Sequence, residues 1–123
     1  MKLKAVTATI IALGTLIMPA GAAAGYEGAI AFSQRTGANG WAKNFDSKRA
    51  ASSAALRNCR ANDCKIVYTF TNSCAALAVG DGGGYGVNWD VRQRRAERKA
   101  IRACKDYGNS GCQVSVSVCS QNR

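Results

Sequence analysis

The chain alternates between two hydrophobic periods. Near its C-terminal end, "QVSVSV" (113–118) places Val114, Val116 and Val118 on one side and Gln113, Ser115 and Ser117 on the other. That two-residue period predicts a half-buried strand. "KIVYTF" (65–70) sets Ile66, Tyr68 and Phe70 against Val67 and Thr69, "GWAKNF" alternates through Trp41, Lys43 and Phe45, and "YGVNW" through Tyr85, Val87 and Trp89. Elsewhere the period lengthens to that of a helix. Over about 91–105, Ala96, Ala100, Ala103 and Cys104 share one side, and Arg92, Arg95, Arg98, Lys99 and Arg102 share the other, the spacing of a two-faced helix. A second helix is predicted over about 47–60, rich in alanine and less sharply divided. Asp46 and Asp90 stand just ahead of the two helical runs, where N-caps belong.

The same order of elements occurs twice. "NFD" (44–46) is echoed by "NWD" (88–90), each followed by a basic, alanine-bearing helical run that ends in cysteine. Counted back from Cys59 and Cys104, Ala51 matches Ala96, Ala55 matches Ala100 and Leu56 matches Ile101. Each cysteine is followed by a short turn, a second cysteine and a β-rich run ending in a third: "CKIVYTFTNSC" (64–74) and "CQVSVSVC" (112–119). Upstream, "GAIAFS" (28–33) corresponds to "AALAVG" (75–80). The expected fold class is α+β: two pseudo-repeated β-β-α-β units form one sheet with two helices packed on it, around a core of Trp, Phe, Tyr and Val side chains.

The N-terminus changes the picture of where the protein works. Lys2 and Lys4 precede the apolar run "AVTATIIALGTLIM", and "PAGAAAG" comes next with Ala22 and Ala24 in an A-x-A pattern. That is the form of a secretory signal peptide over residues 1–24, cut near Ala24; the run is short for a bilayer span. Residues 25–123 read as one domain, with no later segment apolar enough to span a membrane. All six cysteines lie in it, and an even count in a short exported chain predicts three disulfides. The pairing that treats both halves alike is Cys59–Cys64, Cys104–Cys112 and Cys74–Cys119, the last tying the ends of the two halves together; it is one of about 15 that the count allows. With no histidine and no CxxC pair, zinc ligation is not indicated. Of 17 Lys and Arg, Lys2 and Lys4 leave with the leader, so the exported part carries 15 cations against 7 acids, a net +8. This balance favours acidic partners or anionic surfaces.

Taken together, "GAIAFS…TGANGWA…F", "DCKIVYTFTNSCAALAVGDGGGYG" and "CQVSVSVC" resemble the family known as domain of unknown function 4189, small exported bacterial domains with this order of elements. The resemblance spans about residues 26–119, and its most specific run is 72–86. It implies export and fold and brings no catalytic residues.

The run "GDGGGYGVNWD" (80–90) invites a ligand. It lacks the lysine of a P-loop, has Tyr85 where a dinucleotide fingerprint needs its third glycine, and offers Asp81 as its one acid at the loop itself, too few for calcium. "DG" between two alternating runs predicts a hairpin connection instead; a ligand-binding loop closing beside Tyr85 and Trp89 is the lesser reading. "QRTGANGWA" turns the chain at the equivalent place in the first half. The absence of histidine excludes Ser-His-Asp and Cys-His catalysis, and oxidised cysteines supply no thiolate. Among the acids, Asp46 and Asp90 suit caps, and Asp63 and Asp106 suit turns; Glu27, Asp81 and Glu97 remain for a glycosidase-like pair. The basic helix is the stronger functional feature. Arg95, Arg98, Lys99 and Arg102 are its candidate contacts, with Asp81 and Tyr85 as a lesser site. The helix carries no aromatic interleaving and no nucleic-acid motif, which points away from nucleic acid. No catalytic residue, cofactor or metal is assigned. The expected function is an exported, periplasmic or secreted, non-enzymatic binding module for an acidic protein or anionic envelope polymer. A small envelope-polymer hydrolase using Asp81 and Glu27, or a stoichiometric inhibitor or immunity protein, is the alternative. Oligomeric state is left open.

Overall fold

The computed structural model describes residues 25–121; the expected signal peptide lies outside them. Six strands and two helices run in the order β1 (Glu27–Phe32), β2 (Asn39–Phe45), α1 (Lys48–Asn58), β3 (Lys65–Thr71), β4 (Ser73–Val79), β5 (Tyr85–Asp90), α2 (Gln93–Asp106) and β6 (Gln113–Ser120). They form two three-stranded antiparallel sheets rather than the single sheet expected. The strand orders are β2-β1-β3 and β5-β4-β6, so in each sheet the first strand of its half lies in the middle.

The reason for two sheets lies in the central strands. In β1, Ala29 and Ala31 face α1 and join Ala51, Ala54 and Ala55, while Ile30 and Phe32 face the other way. In β4, Cys74, Ala76 and Ala78 face α2, while Ala75 and Leu77 face the other way. A single sheet with both helices on one side would leave Ile30, Phe32, Phe70, Leu77, Val116 and Val118 in water. Instead the two sheets stack through these side chains, giving four layers, helix–sheet–sheet–helix. The expected core is corrected accordingly. It is largely alanine under the helices, and Trp41 and Trp89 lie at the sandwich margins, 44% and 47% exposed.

Small residues set the helix–sheet distance. A methyl group added at Gly40 of β2 would collide with the backbone of Ala55 and Asn58 on α1 and of Cys59 just after it; one at Gly86 of β5 would collide with the backbone of Ala100 and Cys104 on α2. Each helix therefore rests directly on a glycine of the neighbouring edge strand.

Local details depart from the sequence pattern for identifiable reasons. A bulge opposite Ile30 and Ala31 breaks the alternation of β3, so Ile66 packs under α1 while both Val67 and Tyr68 join the layer between the sheets. Asp46 is not the cap of α1: Ser47 is, its Oγ accepting from Ala50 N at 3.0 Å. Asp90 lies two residues ahead of the α2 N-cap position, Arg92, and accepts from Arg92 N at 3.0 Å. Residues 80–84 connect β4 to β5 as a hairpin, with one 3-10 turn at Asp81–Gly83. Gly82 and Gly83 take φ of 85° and 93° there, the left-handed region that favours glycine.

Three disulfides join Cys59 to Cys64, Cys104 to Cys112 and Cys74 to Cys119, and no cysteine is free. Cys74–Cys119 does not tie the ends of the two halves. Cys74 belongs to β4 and stands opposite Cys119 of β6, so the bridge lies wholly within the second sheet. At the matching place in the first sheet, two residues before the helix-facing alanines, Glu27 stands opposite Thr71. Thr71 Oγ1 donates to Glu27 Oε1 at 2.7 Å, and Lys48 Nζ, at 3.2 Å, adds an ion pair. Between the sheets, Asn44 N donates to the fully buried Ser120 Oγ at 2.8 Å, and Ser120 Oγ donates back to Asn44 Oδ1 at 3.2 Å. Among the described residues, no helix is long and apolar enough to cross a membrane.

Gly86→Ala should lower unfolding stability of the oxidised protein by about 1–3 kcal/mol, the usual cost of overpacking a close contact. Urea denaturation measures it, and an unchanged midpoint would contradict the seating of α2 on β5.

Candidate functional site

The spacing of α2 determines which of its side chains are free. Ala96, Ala100 and Cys104 fall four residues apart and are buried against the second sheet, so the arginines between them face outward. Arg92, Arg94, Arg95 and Arg98 gather around the start of the helix. With Gln121 from beyond β6, they line an open cleft of about 750 Å³ whose lining includes the Cys74–Cys119 disulfide. Arg92 and Arg94 were not among the four residues singled out from sequence. Arg92 was visible in the basic stripe, whereas Arg94 sits off it and joins only because the cleft wraps around the helix end.

This end of α2 is electrostatically unusual. The N-terminus of a helix carries a partial positive charge that disfavours nearby cations, typically by about 0.3–1 kcal/mol each. The first turn of α2 holds no acid, and the side chain at its N-cap makes no capping hydrogen bond. Among the described residues the contact ion pairs are Arg35–Asp63, Lys48–Glu27 and Lys99–Asp90, so none of the four cleft arginines touches a carboxylate, and Arg95 acts on Asp90 only at longer range. Clustered cations in a concave surface raise the local concentration of anions.

Lys99 and Arg102 are placed differently. Lys99 Nζ donates to Trp89 O at 2.9 Å, pairs with Asp90 Oδ2 at 3.4 Å and lies 5.4 Å from the centre of a Trp89 ring; it anchors the helix to β5. Arg102 is exposed further along the same helix and does not line the cleft. The Arg92 backbone N–H, and after it Lys99 and Arg95, hold the Asp90 carboxyl below its ordinary value of 3.8.

The glycine hairpin lies elsewhere. Asp81 N donates to Ser110 O at 2.8 Å, and the Asp81 carboxylate covers the face of Gly111. Tyr85 is half-buried, its ring edge-on to Phe32 with centroids 5.3 Å apart. Glu27 and Asp81 are not brought together. Asn72 N donates to Tyr26 O, which sets the start of β1 beside the start of β4, whereas Asp81 comes after the end of β4. Seven strand residues separate the two ends, roughly 23 Å at about 3.3 Å per residue, beyond the span of a glycosidase carboxylate pair. Glu97 is engaged by Ser117 Oγ.

Residues 28–119 match the family described as Domain of unknown function (DUF4189). The chain belongs to that family. DUF4189 carries no activity in its description, so membership assigns no role to any residue of the site. A solved structure similar to this DUF4189 chain is the NMR structure of Rv1813c from Mycobacterium tuberculosis. It is 24% identical, with 96% of this chain and 95% of that chain covered and a TM-score of 0.60, a likeness of fold alone. No curated protein matches the chain.

The depressed titration of Asp90 gives a signed expectation. A carboxyl whose folded pKa is lowered stabilises the fold above its unfolded value, and that contribution disappears as pH falls through the folded value. Asp90→Asn should therefore be less stable than the parent at pH 7, with the gap closing only below about pH 4. Paired urea titrations across that range measure it; a gap constant with pH would mean the charge on Asp90 contributes nothing.

Proposed function

We propose that the protein is an exported, non-enzymatic binding module whose arginine-lined cleft at the start of α2 docks an acidic protein or an anionic envelope surface, in the periplasm or outside the cell. The observation that carries this reading is the gathering of Arg92, Arg94, Arg95 and Arg98, none in a contact ion pair among the described residues, at the positive end of a helix. Such a cluster adds to the positive potential of the helix start, which the single Asp90 carboxylate at the Arg92 N–H offsets only in part, and a bound anion relieves it. Guanidinium groups suit the task, since each offers a planar fork to a carboxylate or phosphate. The leader-like N-terminus and the pairing of all six cysteines support export. The separation of Glu27 from Asp81 along β4 weighs against a hydrolase built on those two acids.

We also infer that the two halves derive from one duplicated β-β-α-β unit. Support for this comes from the shared element order, the central placement of each first strand, and the paired glycines beneath the helices.

Arg95→Glu combined with Arg98→Glu should weaken capture of envelope components at least about tenfold, the equivalent of ~1.4 kcal/mol, and flatten the loss of capture as salt rises from about 0.05 to about 0.5 M. Arg57→Glu with Arg60→Glu, exposed positions outside the cleft, makes the same change in net charge and should retain capture. Quantitative pull-downs with intact disulfides measure both. Equal losses in the two double variants would reduce the cleft to a contribution of bulk charge.

A further inference from the structure

The far end of α2 carries a second cleft of different chemistry. Tyr107 ends the helix and is 78% exposed, an aromatic ring that the fold does not use as core. It lines an open cleft of about 520 Å³ together with Gln34, Gly84, Tyr85, Val87 and Asn109. The volume falls in the range of small-ligand sites. Two features of the walls are fixed in advance. The Tyr85 ring is held edge-on by Phe32. The Asn109 amide donates through Nδ2 to Cys104 O at 3.0 Å and lies so close along Gly84 that any side chain there would overlap it.

The lining contains no charged side chain, although 15 cations and 7 acids are spread over residues 25–123. An anion would find no counter-charge here. A purely apolar molecule would cover the Gln34 and Asn109 amides without satisfying them, which is costly. Flat aromatic faces take C–H-rich surfaces, and side-chain amides both donate to and accept from hydroxyl groups. The ligand class that matches both is an uncharged pyranose, with C–H bonds on its faces and hydroxyls around its rim. We infer that this cleft is a binding site for a neutral sugar unit of a glycan, with Tyr85 and Tyr107 as stacking surfaces and Gln34 and Asn109 as hydroxyl partners. It lies at the opposite end of α2 from the arginine cleft, about 20 Å away along a 14-residue helix, and it stands independently of the reading given to that cleft.

The test is a titration of the ¹⁵N-labelled oxidised protein with tri-N-acetylchitotriose and, separately, maltotriose, to about 10 mM. Saturable shifts of the Gln34, Gly84, Tyr85, Tyr107 and Asn109 amides with either sugar are expected. Tyr107→Ala, at an exposed position, should weaken that binding at least about tenfold, and Tyr107→Phe should retain most of it. The Arg95→Glu, Arg98→Glu variant should bind the sugar as the parent does. The inference is overturned if neither sugar moves these amides, if the shifts map to the first turn of α2, or if Tyr107→Ala binds like the parent.

Discussion

Everything in this fold depends on two strands that are buried on both sides. β1 and β4 each present small side chains on one face and bulky apolar ones on the other. Neither face can be left to water at about 25 cal/mol per Å² of apolar surface. The alanine faces accept helices at close range, with Gly40 and Gly86 removing the last obstruction. The bulky faces have only each other. A chain of this length therefore builds four thin layers instead of one thick core, and three separate apolar clusters share the burden of stability.

That layering also determines where chemistry can sit. Because α2 turns Ala96, Ala100 and Cys104 inward, its cations have no choice but to face solvent. Because the helix runs the length of the second sheet, its two ends open onto different surroundings: arginines beside a disulfide at one end, tyrosines and amides beside the glycine hairpin at the other. Lys99 is excluded from either by its attachment to Trp89 and Asp90. Burial of the alanine stripe thus sorts the polar residues as effectively as any direct interaction among them.

The elements were legible in the sequence because their periods are strong. "QVSVSV" and the alanine stripe of α2 could be read directly, and the glycine run was recognisable as a hairpin from its turn chemistry. What escaped was tertiary. The pattern "AIAF" states that both faces of β1 are apolar but not what covers each face, so one sheet and two sheets look alike. The exposure of Trp41 and Trp89 depends on their lying on edge strands, a matter of neighbours that no local pattern encodes. The bulge in β3 reverses the facing of Ile66 without any glycine or proline to announce it. At the candidate site, Arg95 and Arg98 were visible as part of a stripe. Arg94 and Gln121 could not be, since the cleft is assembled from the helix end and a strand nearly thirty residues downstream.

The distribution of the cross-links gives the two halves unequal topological restraint. The first half holds one bridge, across a separation of 5 residues, while the second holds bridges across 8 and 45. Closing the larger loop removes more freedom from the disordered chain than closing a short one. β4 through β6 thus form a covalent ring, whereas β1 through β3 remain an open strip held to it by apolar stacking and by the Asn44–Ser120 clasp. The cross-links therefore narrow the disordered ensemble of the second half more than that of the first.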